Sequence, residues 1–364
     1  MLNTRDKTLL KYKKFPDTVR FAVYGRIFLT KIGISAFMKR RIFFFIVILP
    51  LLFTITAAAG SVDGWQPPKV DGMPPQKLTL TKAAILGVVE GLTEYLPVSS
   101  TGHLILAGQF MGLVHYSDQT GIFGQLLDKD KMAALNSFDI VIQLGAILAV
   151  VGLYRRRVGQ MCAGIAGKNP QGLKLLGLLI VAFLPAVIVG LPLHRQIEAN
   201  LFGPIPVAWA LAVGGVLMIV AEYFYERKKS PAPRTSDLDM VTFRQAIIIG
   251  IAQVLAMWPG TSRSMITILA ALLVGLDMLA AAEFSFLLAL PTLMGATVIS
   301  AAKDWGVLNQ VVGIDGMLVG LIVSGIVAAL AIKGFVKWLT HHGLTPFGIY
   351  RLIAAALVFL LLAR

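Results

Sequence analysis

Six apolar runs, near residues 138–154, 173–193, 203–225, 280–302, 314–336 and 345–363, are each long enough to cross a bilayer as a helix. The hydrocarbon core is about 30 Å thick and a helix rises about 1.5 Å per residue, so roughly 20 residues suffice. With no water there to satisfy the backbone, helices are the form such segments take outside closed barrels. Two further apolar regions, 79–113 and 243–276, are cut in the middle, at 97–103 and 259–264, by Pro, Gly and hydroxyl residues. Their halves are too short to span alone. Non-helical backbone at membrane depth is tolerated only where it lines a polar cavity, so both are predicted to be re-entrant helical hairpins. The expected fold is an all-α polytopic membrane protein with six transmembrane helices plus two such hairpins.

Composition agrees: 57% of the 364 residues are hydrophobic and 14% charged. The net charge of +14 gathers at the N-terminus and in short loops, which favours membrane topology over nucleic acid as its cause. Arg155, Arg156, Arg157, Lys168 and Lys174 mark one cytoplasmic loop, Arg227, Lys228, Lys229 and Arg234 a second, Lys333 and Lys337 a third. Tracing from these, the first hairpin enters from the periplasmic side, the second from the cytoplasm, and the chain ends outside. The only cysteine, Cys162, is expected in a cytoplasmic loop and excludes an internal disulfide. Residues 1–60 read as an extension. Within it, Met38-Lys-Arg-Arg41, an apolar stretch and Ala57-Ala-Ala-Gly60 have the order of a signal peptide over 38–59, with an uncleaved signal anchor as the other reading. Residues 61–78 form a proline-bearing linker.

From residue 79 onward the chain divides into two copies of a broken hairpin plus three spans, 79–230 and 231–364, with opposite topology. Pro97-Val-Ser-Ser100 echoes Pro259-Gly-Thr-Ser262, and Phe138-Asp139 echoes Glu283-Phe284. Inverted repeats place a site near the midplane where the broken elements meet. A charge at the bilayer centre costs roughly 2.5 to 3.5 kcal/mol. Glu90, Glu94 and Arg263 must therefore find partners.

Glu90 and Glu94 are one helical turn apart and repel unless a cation intervenes, for which a hard divalent metal, Mg²⁺ or Ca²⁺, is the natural bridge. A neutral, hydrogen-bonded glutamate pair is the plainer alternative. Ser99, Ser100 and Thr101 open a half-helix whose first turn suits an anion, and Gly102 would let a ligand approach the backbone. His103 lies three residues beyond Ser100, as a base for that hydroxyl or for a water, or else as a packed histidine. Ser262, Arg263 and Ser264 form a second polar cluster whose guanidinium suits bidentate phosphate recognition, or a salt bridge to one of the glutamates. Asp139 and Glu283 would act indirectly. Together these residues point to phosphate chemistry inside a membrane.

Glu-x-x-x-Glu followed by Pro-Val-Ser-Ser-Thr-Gly-His, and Pro-Gly-x-Ser-Arg-Ser-x-x-Thr ending at Thr267, resemble the paired signature motifs of the undecaprenyl-diphosphate phosphatase (bacitracin-resistance) family, over roughly residues 79–364. The resemblance implies an inner-membrane hydrolase that dephosphorylates a C55 polyprenyl diphosphate to the monophosphate carrier of cell-wall precursors. It further implies divalent-metal support and a periplasm-facing site. The functional positions it implies are Glu90, Glu94, Ser100, His103 and Arg263, with Ser262 and Thr267 as secondary contacts. Met265 stands where the family pattern has Gly, a bulky side chain that would hold the backbone and a diphosphate further apart at the second hairpin while leaving Arg263 in place. The polyprenyl diphosphate lipid is the implied partner, and a homodimer is left open.

Two rival classes fit parts of the pattern. A polyprenyl-phosphate flippase would also use inverted repeats and broken helices, although anion transport has no need of a Ser100 and His103 pair. An acid-phosphatase-like lipid phosphatase needs a second histidine after its Ser-Arg pair, and no His occurs between Arg263 and His341.

Overall fold

The computed structural model describes residues 78–113, 116–117, 125–126, 129–201, 203–227 and 234–362. The expected signal peptide at 38–59, the linker as far as residue 77 and the division between 230 and 231 lie outside these residues. The described chain is almost wholly helical: α1 Leu80–Thr93, α2 Ser100–Phe110, α3 Lys129–Leu153, α4 Arg155–Ile165, α5 Pro170–Leu201, α6 Pro204–Arg227, α7 Phe243–Gln253, α8 Arg263–Leu273, α9 Met278–Val311, α10 Gly313–Leu339 and α11 Thr345–Leu362. Between α2 and α3, Tyr116 and Ser117 (β1) pair antiparallel with Leu126 and Gln125 (β2).

Within α5, α6, α9 and α10, the stretches Pro170–Gly190, Pro204–Tyr225, Met278–Gly295 and Gly313–Leu339 are long and apolar enough to cross a membrane. Ser137–Leu153 with Arg155–Ile165 makes a fifth if that pair, bent by 85°, is counted as one span. The chain is thus a mostly helical, multi-pass membrane protein. Thr345–Leu360 is a shorter apolar helix, and the run around it is not uninterrupted as the sequence pattern suggested, because Arg351 sits inside it. Cys162 lies in helix α4, not in a loop, and is exposed.

Burial follows a lipid solvent. Large apolar side chains such as Ile188 (68% exposed) and Leu330 (66%) face outward, while Glu90, Ser264, Thr267 and Arg351 are wholly buried. Lipid tails give apolar side chains no reason to leave the surface, so helices associate through close packing and polar contacts. α10 packs along α1, α3 and α9, and α7 packs along α5. Small residues make the first contact close: a Cβ added to Gly87 would stand 2.7 Å from Gly320 O, and one on Gly91 would collide with Ser324 O. Gly145 of α3 meets Leu321 O of α10 in the same way.

The two halves use equivalent contacts. The second span of each half lies along the first helix of the other half's broken pair: α10 on α1, and α5 on α7. α3 packs on α9, and α6 on α11. The breaks are alike in detail. Ser99 (φ 77°) and Ser262 (φ 74°) are the two non-glycine residues with positive φ among those described, and each directly precedes a helix. Their hydroxyls accept from Gly102 N and Met265 N, each at 3.3 Å, which caps the new helix and holds a backbone conformation a serine rarely adopts. The structural register therefore aligns Ser99 with Ser262, one residue away from the echo read in the sequence. It pairs Ser100 with Arg263 and Glu90 with Gln253.

Gly91→Leu is expected to lower the melting temperature of the purified protein by several degrees or to abolish expression, since its side chain would enter the α10 backbone. Gly152→Leu, whose Cβ meets nothing within 4 Å, is expected to leave it unchanged. Equal melting temperatures for the two variants would contradict the α1–α10 contact.

Candidate active site

α1 ends at Thr93, where Glu94 begins the first break, so Glu94 projects from a helix end toward the second break. Arg263, the first residue of α8, meets it there: Nη2 donates to Glu94 Oε1 at 2.7 Å. The other carboxylate oxygen accepts from Ser100 Oγ at 2.5 Å. One buried carboxylate thus joins the first residues of both second half-helices. The salt bridge weighed for Arg263 is present, and Glu94 is its acid.

Arg263 keeps capacity beyond this pair. Its Nη1 donates to Ser285 O at 3.0 Å, and its Nε is buried without a partner. The Tyr95 ring lies 5.5 Å from the guanidinium carbon. Thr267 Oγ1 donates to Arg263 O at 2.8 Å and contacts Ser285 Oγ at 2.6 Å, fixing the start of α8 against α9. Ser264 Oγ is 3.0 Å from both Ser262 Oγ and Leu96 O, a further tie between the breaks.

A cavity of about 190 Å³ opens beside the pair. Glu94, Ser99, Ser100, Thr101, Ser262 and Arg263 line one side; Gln143, Gln253 and Thr292 contribute polar atoms elsewhere; Ala186, Ala256, Met257, Trp258 and Leu293 are apolar wall. Five of the expected site residues, Glu90, Gly102, His103, Ser264 and Thr267, stand back from the lining, as do Met265 and Glu283. Glu90 is wholly buried outside the lining, with neither carboxylate oxygen hydrogen-bonded, and within electrostatic reach of Glu94, Asp139 and Arg263. His103 does not pair with Ser100. Its Nδ1 donates to Ser99 O at 2.7 Å, so the neutral ring's Nε2 accepts from Tyr350 OH at 2.5 Å, and the two rings stack. Gly102 faces Val207 and Gly260 rather than the cavity, so its smallness serves packing of the breaks. Met265 is 99% buried, and its sulfur points toward Gly214, so it adds no wall to the cavity. Ser264 and Thr267 tie elements together as described, and Glu283 accepts from Arg157 Nε at 3.1 Å, away from the cavity.

The largest omission from the sequence reading is Arg351. Wholly buried, it donates to four backbone carbonyls: Pro97 and Gly260, at 3.3 and 2.9 Å, and Leu211 and Ala210 of α6, at 3.3 and 2.9 Å. Pro97 and Gly260 occupy equivalent positions in the two breaks. One guanidinium thus clamps both, and its fixed fork of donors is what an ammonium could not supply. Gly214 makes room, since a Cβ there would collide with Arg351 Nη2. The signal was available: a lone Arg inside an apolar run carries the same membrane cost that singled out Arg263.

Helices of this kind, with polar breaks meeting around a buried acid and guanidinium, define a polytopic membrane protein with a buried polar site. The chain belongs to the bacitracin resistance protein BacA family, whose model matches residues 83–357. Among its relatives, the undecaprenyl-diphosphatase of Sorangium cellulosum is 49% identical over 76% of this chain and 84% of that protein. Undecaprenyl-diphosphatase 2 of Rhodospirillum rubrum is 45% identical over 77% and 94%, and the undecaprenyl-diphosphatase of Thermoanaerobacter sp. 41% over 78% and 97%.

Arg351→Lys and Arg351→Met are both expected to destabilise the protein by on the order of 3 kcal/mol, because each leaves buried carbonyls without donors. Thermal unfolding in detergent measures this. A lysine variant as stable as the parent would contradict the clamp.

Proposed function

We propose that this chain is an integral-membrane hydrolase that converts undecaprenyl diphosphate to undecaprenyl phosphate and inorganic phosphate. The observation that carries the reading is the Glu94 carboxylate joining Ser100 and Arg263 at a cavity whose remaining wall is largely apolar. That combination suits a charged head group on an oily tail. The names of relatives 41–49% identical agree with it.

In the proposed mechanism the prenyl tail stays in lipid and the head group enters the cavity. The terminal phosphate takes the free donors of Arg263, whose planar fork matches phosphate oxygens. Ser100 Oγ attacks the terminal phosphorus in line, Glu94 accepts the hydroxyl proton, and the bond to the bridging oxygen breaks, releasing undecaprenyl phosphate. Water then hydrolyses the phosphoserine to inorganic phosphate. His103 acts from behind, holding the Ser99 carbonyl and hence the turn that aims Ser100.

A divalent cation fits the donor set in one form. Both Glu94 oxygens are engaged, Glu90 offers two unpartnered ones, and no cluster of three His, Cys, Asp or Glu suited to a metal is found among the described residues. Glu90, buried behind the cavity lining, has the only free carboxylate oxygens of the pair, so it would be the residue that holds Mg²⁺ from behind the cavity. When bound, it would offset the charge developing on the phosphate oxygens.

The proposed topology has six spans and two re-entrant hairpins in inverted repeat, in the bacterial inner membrane, with the site open to the periplasm. The matched helix contacts and the paired positive-φ serines support the repeat. Arg157 bonds Asp237, Asp239 and Glu283 at 3.1 to 3.3 Å, which agrees with a tracing that puts both the α3–α4 elbow and the start of α9 on the cytoplasmic side. The described residues hold no observation that favours the flippase reading over the hydrolase.

Purified protein is expected to release phosphate from farnesyl diphosphate, to stop on chelation, and to recover with Mg²⁺ or Ca²⁺. Arg263→Ala should lower kcat/KM by roughly 100-fold or more. Intact lipid binding without phosphate release would overturn the reading in favour of transport. Ser100→Ala should abolish a trappable phosphoserine and nearly all turnover; substantial turnover in that variant removes Ser100 as nucleophile.

A further inference from the structure

Gln253, the last residue of α7, is 2% exposed, lines the cavity, and carries an amide nitrogen with no hydrogen-bond partner. Its carbonyl fares little better. Thr292 Oγ1 lies 3.4 Å from it, and that hydroxyl donates at 2.8 Å to Leu288 O. A hydroxyl has one proton, so the shorter bond takes it. A buried amide with neither end firmly paired costs about 1 to 3 kcal/mol for each unsatisfied group. Such a cost persists where a ligand removes it.

The position is informative too. Gln253 is the counterpart of Glu90 across the repeat, so the fold offers the same place twice, with an acid in one half and a neutral amide in the other. Gln143 of α3 also lines the cavity. The lining thus has two polar characters: the guanidinium and hydroxyls of Arg263, Ser100 and Ser262, and the uncharged amides of Gln253 and Gln143. A diphosphate head group presents two phosphates. The terminal one is transferred and needs the guanidinium; the inner one leaves on the lipid with the bridging oxygen, which takes the charge of the broken bond, while its two non-bridging oxygens keep their bonds throughout.

We propose that Gln253, assisted by Gln143, is the subsite for the phosphate that remains on the lipid, donating its amide N–H groups to that phosphate's oxygens. This rests on the hydrolase reading. Made to the two non-bridging oxygens, outside the breaking bond, the contact is nearly the same in substrate and transition state, and such an interaction lowers KM and leaves kcat nearly alone. The retained phosphate is also present in the product, so prenyl monophosphate uses the subsite and inorganic phosphate does not. Gln253 therefore favours lipid-borne phosphates over the free ion.

The test compares parent, Gln253→Leu and Gln143→Leu for KM and kcat with farnesyl diphosphate, Ki for farnesyl phosphate, Ki for inorganic phosphate, and melting temperature. For Gln253→Leu the expected result is a KM and a farnesyl phosphate Ki both raised about 10-fold, with kcat and the inorganic phosphate Ki within about twofold. The melting temperature should hold or rise, because leucine removes an unpaired polar group. Gln143→Leu should move the same two constants, less far, and carries the test if Gln253→Leu cannot be purified. Three results overturn the proposal: a fall in kcat at constant KM, a raised inorganic phosphate Ki with farnesyl phosphate unaffected, or unchanged kinetics. A melting temperature lowered by several degrees would also overturn it, by making the amide structural. Absence of phosphate release by the parent would instead be the failure of the hydrolase reading itself.

Discussion

One carboxylate holds the two halves of this protein to a common purpose. Glu94 takes a hydrogen bond from Ser100, in its own half, and an ion pair from Arg263, in the other. Both side chains of the pair are at least nine-tenths buried, so desolvation is heavy and the attraction must be well satisfied to persist. Each partner sits where a helix begins after a break. A phosphate entering the cavity would meet a guanidinium with unused donors and a hydroxyl already bonded to a base.

Arg351 does for the backbone what Glu94 does for the side chains. Its hydrogen bonds to Pro97 O and Gly260 O reach the same point in each break. A buried carbonyl left without a helical partner at a break needs a donor, and here one guanidinium supplies two such carbonyls and two from α6. The strained Ser99 and Ser262 turns are held on either side, Ser99 by the His103–Tyr350 stack as well. Around this polar centre the long helices approach through Gly87, Gly91 and Gly145, close enough that a single methyl would collide.

The sequence was most legible where physics is most restrictive. Long apolar runs, the two interrupted regions and the Glu94–Arg263 meeting all follow from the cost of polar groups in lipid. But α3 begins nine residues before its expected run, α9 ends nine residues after its own, and among the described residues four or five helices, not six, are long and apolar enough to span. Arg351 was passed over because composition smooths a single Arg across a run that is otherwise apolar, although the same cost applied to it. His103 shows the limit of spacing. Three residues from Ser100 suggested a shared face, but which neighbour an imidazole bonds depends on a tyrosine 247 positions away. Met265 fills space beside Gly214 rather than standing between the backbone and a diphosphate, which only packing reveals. The motif echoes pointed to the proposed repeat one residue out of the register that the two positive-φ serines give, and with that register came Gln253.

A double-mutant cycle of Glu94→Gln and Arg263→Gln, read by thermal unfolding of the purified protein, tests the cross-half pair most directly. Strong coupling is the expected result: the double variant should lose less stability than the two single losses combined, by about 1 kcal/mol or more. Additive losses would mean that the two side chains do not meet, and the single reaction centre would have to be given up.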